Sequence, residues 1–545
     1  MRRRVWPGLV VTLGLFAVPG EAAPRDKALA PYIEIGQAVT ADLNTDDVLT
    51  YSTVAAGVEA SVHNRRAQAQ VSYRYEHRIS WDKRVGDADV HSGLARGTIT
   101  LARGVSLEGG AIATRVRSDI RGAAPGNLVG NVDNISQVYS AYVGPTLARH
   151  VGPVGVTASY RYGYTKAEAP GTTGVAAGSM PLDVFGTSQS HVVNASAAVK
   201  PGAVLPVGIT LSGAYERDSA SQLDQKYEQS LGRADATLPV SGTVALTAGA
   251  GYEKITVTQK DPLRDGNGVP VVDGRGRYVT DPAAAPRIAY RTDGLIYDGG
   301  VLWRPSPRTQ LQGRVGWRYG GMTYSGSFSY AASSAVGVQV AVYDSFDTFG
   351  RQLRQGLAGL PTSFVDQRDA FGQQFSGCTF GAASGAAGGL AGGATSGAAG
   401  GCLNGVFQSI STAAYRARGV DAVLSARRGA LNVGIGGGYA TRRFAAPEAG
   451  GFSIDGVTDE SFYAQVFAGA PIDRNSGVNG NVFANYYESG ITAAPGVFST
   501  GATGLYYHNF GRIAAQASAG LYSFNQKGID DQLSAQAQLG MRYHF

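Results

Sequence analysis

The stretch Asp531-Gln-Leu-Ser-Ala-Gln-Ala-Gln-Leu-Gly-Met-Arg-Tyr-His-Phe545 alternates between apolar and polar side chains and ends the 545-residue sequence. Successive side chains of a β-strand point to opposite faces, so a strand here has one apolar and one polar face. The apolar face would carry Leu533, Ala535, Ala537, Leu539, Met541, Tyr543 and Phe545. The polar face would carry Gln532, Ser534, Gln536, Gln538, Arg542 and His544. From this stretch alone, a terminal strand of a soluble sheet fits as well as a membrane strand.

The same alternation recurs along the whole chain. Segments such as 67–76, 154–165 and 310–319 repeat it, and short turns between such segments alternate with longer polar loops. This rhythm is typical of bacterial outer-membrane barrels, in which short turns face the periplasm and long loops face outside. Counting hairpins predicts an all-β, transmembrane, antiparallel up-and-down β-barrel of about 22 strands, within a range of 16 to 22.

The N-terminal residues predict export from the cytoplasm. Three arginines at 2–4, a short apolar run over 5–18 and small residues at the following positions form a secretory signal peptide over residues 1–22. The barrel is then expected to span residues 23–545. No N-terminal plug domain is expected, because the first predicted strand, near Tyr32, follows the cleavage site so closely.

The C-terminal residues point to the same compartment. An amphipathic last strand that ends in aromatic residues is similar to the assembly signal of outer-membrane barrels, with Tyr543 and Phe545 in that role. The predicted localisation is the outer membrane of a Gram-negative bacterium, after signal-peptide cleavage. The predicted partners are outer-membrane lipid and the barrel assembly machinery.

Composition and motifs exclude several other functions. The chain holds 77 Gly and 28 Tyr, and its net charge of +6 is spread without a basic block, so no nucleic-acid partner is expected. The sequence contains no Gly-x-Ser-x-Gly elbow, His-Glu-x-x-His or P-loop, so we expect no enzyme activity, no cofactor and no catalytic or metal site. Scattered aspartates in the loop 261–281 fit a hairpin with an Asp273-Gly274 turn better than a calcium site.

Five arginines lie on predicted polar faces and are candidates for lining the lumen: Arg74, Arg161, Arg314, Arg318 and Arg542. Three of them stand between aromatic residues, at 73–75, 160–162 and 317–319, where the aromatic rings would form a girdle at the membrane interface. Two interpretations remain open for the arginines. They could attract an anionic solute, or they could pair across the lumen with carboxylates such as Glu76 and Asp298 and stabilise the barrel.

An insertion at about 349–412 interrupts the alternation. It begins with a helix-compatible pattern over 352–375 and continues into a Gly/Ala-rich run at 381–401. Cys378 and Cys402 bracket that run and would be able to pair in an oxidising periplasm. Strand parity places the insertion on the extracellular side, either folded into the pore as a constriction or lid, or exposed as a surface loop.

Three segments, 294–309, 317–330 and 348–352, resemble the outer-membrane β-barrel porin type 2 group and its relatives associated with exopolysaccharide and PEP-CTERM gene systems. The resemblance implies an outer-membrane component of polysaccharide export, with periplasmic polysaccharide-export components as possible partners. The polar and basic side chains of the predicted lumen would also suit the passage of polar or anionic solutes. The Gly/Ala-rich insertion departs from that group. The alternatives are a general diffusion porin and a closed structural or interaction barrel that acts through its surface loops.

Overall fold

A computed structural model describes residues 26–44, 47–82, 87–119, 134–169, 183–275, 277–333, 335–364, 371, 378–380, 400–403, 406–407, 409–447, 454–491, 494–527 and 529–545. The predicted signal peptide lies outside these residues, as does most of the Gly/Ala-rich run. The expectation that no plug domain precedes the barrel stays a prediction.

Twenty-two antiparallel strands of the described chain form one sheet that closes on itself. The predicted antiparallel barrel of about 22 strands is therefore confirmed. The insertion contributes α1 (Phe349–Gly359) and a separate two-stranded hairpin, β16 (Cys378–Phe380) and β17 (Gly400–Cys402). The barrel strands are β1 (Asp26–Asp42), β2 (Val48–His63), β3 (Ala67–Ser80), β4 (Ala88–Ala102), β5 (Val105–Arg117), β6 (Ile135–Val151), β7 (Val154–Glu168), β8 (Thr187–Val199), β9 (Gly208–Ala220), β10 (Lys226–Pro239), β11 (Val244–Gln259), β12 (Arg287–Ser306), β13 (Thr309–Arg318), β14 (Gly321–Ser333), β15 (Val336–Asp347), β18 (Ala414–Arg428), β19 (Leu431–Ala445), β20 (Thr458–Pro471), β21 (Ser476–Glu488), β22 (Val497–Phe510), β23 (Ile513–Gln526) and β24 (Ile529–His544).

The ring closes between its first and last strands. β1 pairs with β24 from Tyr32 opposite His544 to Asp42 opposite Ser534. The first strand begins at Asp26, earlier than the predicted start near Tyr32, because its first five residues pair with β2 alone. Closure leaves no free sheet edge, which removes the unpaired backbone groups that an edge would expose.

Turn lengths alternate around the barrel as predicted. Connections at the end that holds both termini are short, such as 64–66, 103–104 and 511–512, and we call this the short-turn end. Most connections at the opposite, long-loop end are longer, such as 260–286 and 348–413. The loop 261–281 forms the expected hairpin, in which the Asp273 side chain accepts hydrogen bonds from the backbone N–H groups of Arg275 and Arg277 at 2.8 and 3.0 Å.

One predicted girdle residue lies elsewhere. Tyr319 and Gly320 form a two-residue turn between β13 and β14 with φ values of 55° and 73°, the left-handed conformation that tight hairpin turns require. The turn directs Tyr319 into the apolar cluster that contains the buried Tyr227 and Phe346, so the girdle interpretation is wrong for this residue. Tyr73 and Tyr160 do lie on the outer face, where their hydroxyls contact histidines.

The barrel has its apolar side chains outside. On β24, Leu539 is 69% exposed and Met541 51%, whereas Gln536 and Gln538 are 3% and 5% exposed. On β1, too, the apolar side chains of Ile33 and Ile35 point outward and the side chain of Glu34 points inward. This is the arrangement of a barrel with an apolar surface around a polar interior. No helix in the described part of the chain is long and apolar enough to span a membrane.

Local sequence explains where α1 begins and ends. The Thr348 hydroxyl caps its N-terminus by accepting a hydrogen bond from the Arg351 N–H. The predicted helical pattern over 352–375 is longer than the observed helix, which ends at Gly359. Pro361 follows, and the residue before a proline is disfavoured from helical geometry.

Candidate functional site

The helix α1 packs against the inner wall of the barrel. Phe349, Leu353 and Leu357 are fully buried, one helical turn apart, on one face of α1. They join an apolar cluster with residues of β4 to β7, of β9, of the connection before β8 and of the insertion itself: Leu94, Ile112, Val116, Val138, Tyr142, Ala167, Val184, Phe185, Ala220, Leu360, Phe364, Leu403, Val406 and Ile410. The inner face of β4 to β6 is thus apolar where it meets the helix.

Two buried arginines of α1 anchor it to β9. Arg351 donates to both Glu216 carboxylate oxygens at 2.6 and 2.7 Å and also pairs with Asp347 at 2.9 Å. Arg354 pairs with Asp218 and donates to the hydroxyls of neighbouring strands. Buried ion pairs of this kind are costly to break, because removing one partner leaves an uncompensated charge away from water.

The chain after α1 reaches far down the lumen. Arg96 of β4 donates to the carbonyl oxygens of Ala358 and Leu360 at 2.8 and 3.1 Å. The backbone N–H and C=O groups of Phe364 both bond to the Gln70 side chain, at 2.9 and 2.8 Å. Gln70 lies three residues after β3 begins, close to the short-turn end. The segment 348–364 therefore crosses most of the barrel's height.

The hairpin of β16 and β17 lies against the opposite wall. Cys378 and Cys402 form a disulfide with an S–S distance of 2.09 Å. The Phe380 ring stacks on Phe467 of β20, with centroids 6.4 Å apart. On β19, a Cβ atom added to Gly434 would lie 2.6 Å from Phe380, and one added to Gly436 would lie 2.7 Å from Cys378 Sγ. We call these two positions the glycine slot, because only glycine leaves room for the hairpin there.

The returning end of the insertion is held at the long-loop end. The Ile410 N–H donates to the Arg117 carbonyl at 3.0 Å, and the buried Arg442 donates to the Ser409 carbonyl at 2.9 Å. With the contacts of α1 and the hairpin, these bonds place the described part of the insertion inside the barrel. The sequence did not lead us to predict that the insertion packs on β5. The run 111–113 could have indicated it, because this run is apolar on both faces of its strand.

The predicted lumen arginines all point inward and all contact carboxylates. Arg74, 2% exposed, pairs with Glu76 and with Glu34 at 2.8 Å, and Arg542 reaches the same Glu34 at 2.9 Å. The sequence prediction had not identified Glu34, although its position between two outward-facing isoleucines shows that it points inward. One buried carboxylate thus joins two of the candidate arginines.

The other three arginines are held in the same way. Arg314 donates to Asp235 at 2.6 Å and to Asp298 at 3.0 Å. Arg318 binds Glu253 at 2.5 and 2.9 Å, and Arg161 pairs with Glu108. A role for the five arginines in attracting a solute stays a prediction. Among the described residues, no three His, Cys, Asp or Glu side chains lie close enough to hold a metal ion.

Comparison with known proteins adds little about function. No protein-family model and no curated protein matches this chain, so the resemblance to the porin type 2 group gains no support. Similar solved structures include the FrpB iron transporter from Neisseria meningitidis, with 10% identity, a TM-score of 0.40, and coverage of 95% of this chain and 82% of that chain.

Two further solved structures are similar at the same low level. The ferric-catecholate import receptor Fiu from E. coli K12 has 10% identity and a TM-score of 0.43, and the match covers 94% of this chain and 81% of that chain. The siderophore receptor PirA from Acinetobacter baumannii has 8% identity and a TM-score of 0.39, with coverage of 94% and 80%. At TM-scores below 0.5 this similarity carries no argument about function.

Proposed function

We propose that this protein is an outer-membrane barrel that passes polar solutes, and that the insertion at 349–412 is its gate. The observation that carries this proposal is the position of the described part of the insertion, which packs inside the barrel from the long-loop end to Gln70 near the other end. In this proposal the insertion closes the lumen and moves when a solute passes, as gating loops do in other proteins. In this proposal the short-turn end faces the periplasm and the long-loop end faces outside.

The outer face supports the membrane part of the proposal. Large apolar side chains are exposed at alternate positions of the strands, among them Leu29, Ile35, Leu295, Leu539 and Phe545. A surface of this kind is stabilised by lipid and would aggregate in water. The same proposal includes a Gram-negative host, cleavage of the signal peptide after residue 22, and assembly through Tyr543 and Phe545.

The inner charges favour polar solutes that are uncharged or weakly charged. Every candidate lumen arginine forms an ion pair with a carboxylate, although Arg74 and Arg542 share Glu34. Paired charges still donate hydrogen bonds to hydroxyl groups, but they attract a free anion weakly. Exopolysaccharide export, with periplasmic export components as partners, is one form of this function, and general diffusion is another. The third alternative is a closed barrel that acts through its loops.

The proposal is tested by recording currents from the purified protein in planar bilayers, beside a variant in which a short glycine linker replaces residues 349–412. We expect small or intermittent currents from the complete chain and steady, larger currents from the variant. Heat-modifiable migration on gels would show that the variant is folded. If the folded variant conducts nothing, the closed barrel is the better explanation and the pore proposal is wrong.

Export and general diffusion are separated in cells. A deletion strain that loses surface polysaccharide but takes up small solutes normally would support export. A strain that keeps its polysaccharide and loses small-solute uptake would support general diffusion.

A further inference from the structure

A cavity of about 330 Å³ lies inside the barrel between the insertion and the wall formed by β20 to β24 and β1. Phe371 of the insertion lines it on one side. On the other side it reaches Asn509 and His544, which stand at the short-turn end. Its volume falls within the ~300–1,000 Å³ typical of small-molecule sites. The cavity is therefore large enough for a ligand and lies on the side from which an exported solute would arrive.

An arc of uncharged polar side chains forms one wall of this cavity. Asn479 and Asn481 come from β21, Thr503 from β22, Gln516 from β23 and Gln538 from β24. Amide and hydroxyl groups both donate and accept hydrogen bonds, as sugar hydroxyls do. Five such groups on four neighbouring strands present a surface that matches a polyhydroxylated ligand and has no preference for either sign of charge.

Two members of the arc are buried and lack hydrogen-bond partners among the described residues. Asn481 and Thr503 lie opposite each other in the β21–β22 register and are 9% and 8% exposed. Asn481 Oδ1 and Thr503 Oγ1 make no hydrogen bond within the described chain. Both oxygens are shielded from solvent, and a buried polar atom left unpaired costs about 1–3 kcal/mol, so a rotation that turns either side chain toward a ligand in the cavity is favoured.

The remaining wall supplies rings and a paired charge. Phe371, Phe467 and Tyr507 offer flat apolar surfaces, which suit the C–H faces of a sugar ring. Arg542 lines the cavity while it is bonded to Glu34 at 2.9 and 3.0 Å. Arg74 shares Glu34 with Arg542 and also pairs with Glu76, which Arg78 contacts as well. Each guanidinium at this corner is therefore held in an ion pair and can still donate hydrogen bonds to hydroxyl groups.

We propose that this cavity binds a saccharide of one to a few rings, through hydrogen bonds from Asn481 and Thr503 and ring contacts with Phe371. The inference rests on the proposed function and names the class of solute that the barrel passes. It makes the cavity a first binding site on the short-turn side of the gate. Asn481 and Thr503 then hold the ligand without charge, which allows release as well as capture.

Saturation-transfer NMR on the purified full-length protein tests this proposal, with glucose, maltotriose and galacturonate as saccharide probes and inorganic phosphate as the anion probe. We expect saccharide signals from the unaltered protein and about tenfold weaker binding in the double variant Asn481→Leu, Thr503→Val, since two hydrogen bonds are lost. Asn485→Leu is the matched control. Asn485 lies on the same strand and also has an unpartnered oxygen within the described chain, but it does not line the cavity.

The outcomes separate this inference from the proposed function. Saccharide binding that the double variant weakens and Asn485→Leu preserves supports the site, even if no current is recorded in bilayers. Currents without saccharide binding would leave the pore standing and overturn the site. Binding of phosphate alone, or equal loss in the control variant, would also overturn it.

Discussion

At the scale of single residues, buried ion pairs hold the insertion in place. Arg351 lies between Glu216 and Asp347, and its side chain is only 7% exposed. We expect Arg351→Gln to weaken the docking of α1 by about 3 kcal/mol or more, because two carboxylates lose their buried partner. The measurement is the frequency of open-channel currents in bilayers, together with cleavage of the insertion by added protease. Both should rise.

The matched control for this variant is Arg217→Gln on the same strand as Glu216. Arg217 is half exposed and faces Glu228 at 3.7 Å. Exposed pairs contribute about 0–1 kcal/mol, so currents and cleavage should stay unchanged. If the two variants behave alike, the buried pairs do not hold the gate.

Asp183 is a titratable residue outside the strands, at the long-loop end. Its Oδ1 accepts hydrogen bonds from the Gln222 side chain at 2.6 Å and from the Tyr278 N–H at 2.9 Å. Burial raises the pKa of Asp183 from 3.8 to about 7, although Arg277 nearby favours the charged form. Between these two values the folded state binds the proton more tightly than the unfolded chain does. This stabilisation is complete below pH 3.8 and is lost as the pH rises through about 7.

The loops around Asp183 should accordingly loosen in mild alkali. We expect the loop 260–286 to be cleaved by protease faster at about pH 8 than at about pH 6, relative to a loop without a buried acid. Asp183→Asn, which carries no charge at either pH, should remove the difference. Equal cleavage rates at both pH values in the unaltered protein would contradict this account.

At the scale of elements, the glycine slot of β19 decides where the hairpin of β16 and β17 docks. We expect Gly436→Val to displace the hairpin, because its Cβ would lie 2.7 Å from the Cys378 sulfur. Reductant should then reach the Cys378–Cys402 disulfide faster, and bilayer currents should increase. Gly504→Val on β22 is the control, since a Cβ there meets nothing within 4 Å. Unchanged reduction and unchanged currents in Gly436→Val would show that the slot is not required.

The direction in which each strand side chain points could be predicted from the sequence, whereas the place where the insertion packs could not. Leu539 and Gln538 face opposite ways because side-chain direction in a strand follows sequence parity, and the structure agrees. The insertion follows no such rule. Its sequence predicted a helix but not the wall that the helix would meet, because the residues that it packs against, around Ile112 and Val138, lie on strands more than two hundred residues earlier.

At the scale of the whole molecule, closure of the ring depends on the last strand. The Phe545 N–H donates to the Pro31 carbonyl at 3.2 Å, and its ring is 66% exposed on the outer face. We expect deletion of Phe545 to lower the amount of folded, heat-modifiable barrel in the outer membrane, because the β1–β24 seam and the aromatic end are both altered.

Phe510→Ala is the control for this deletion, since Phe510 is a similarly exposed aromatic residue, 65% exposed, at the short-turn end of β22. It should leave the level of folded barrel nearly unchanged. Normal levels after deletion of Phe545 would contradict a role for the terminal residue in assembly.

The sequence by itself determined that this chain forms an antiparallel barrel with an apolar outside, because strand periodicity and turn spacing are local properties that each segment carries. Only the tertiary structure decided that the described part of the insertion lies in the lumen and that Arg74 and Arg542 share Glu34. Those contacts join residues far apart in the chain. They depend on the register and curvature of the closed sheet, which parity alone does not specify.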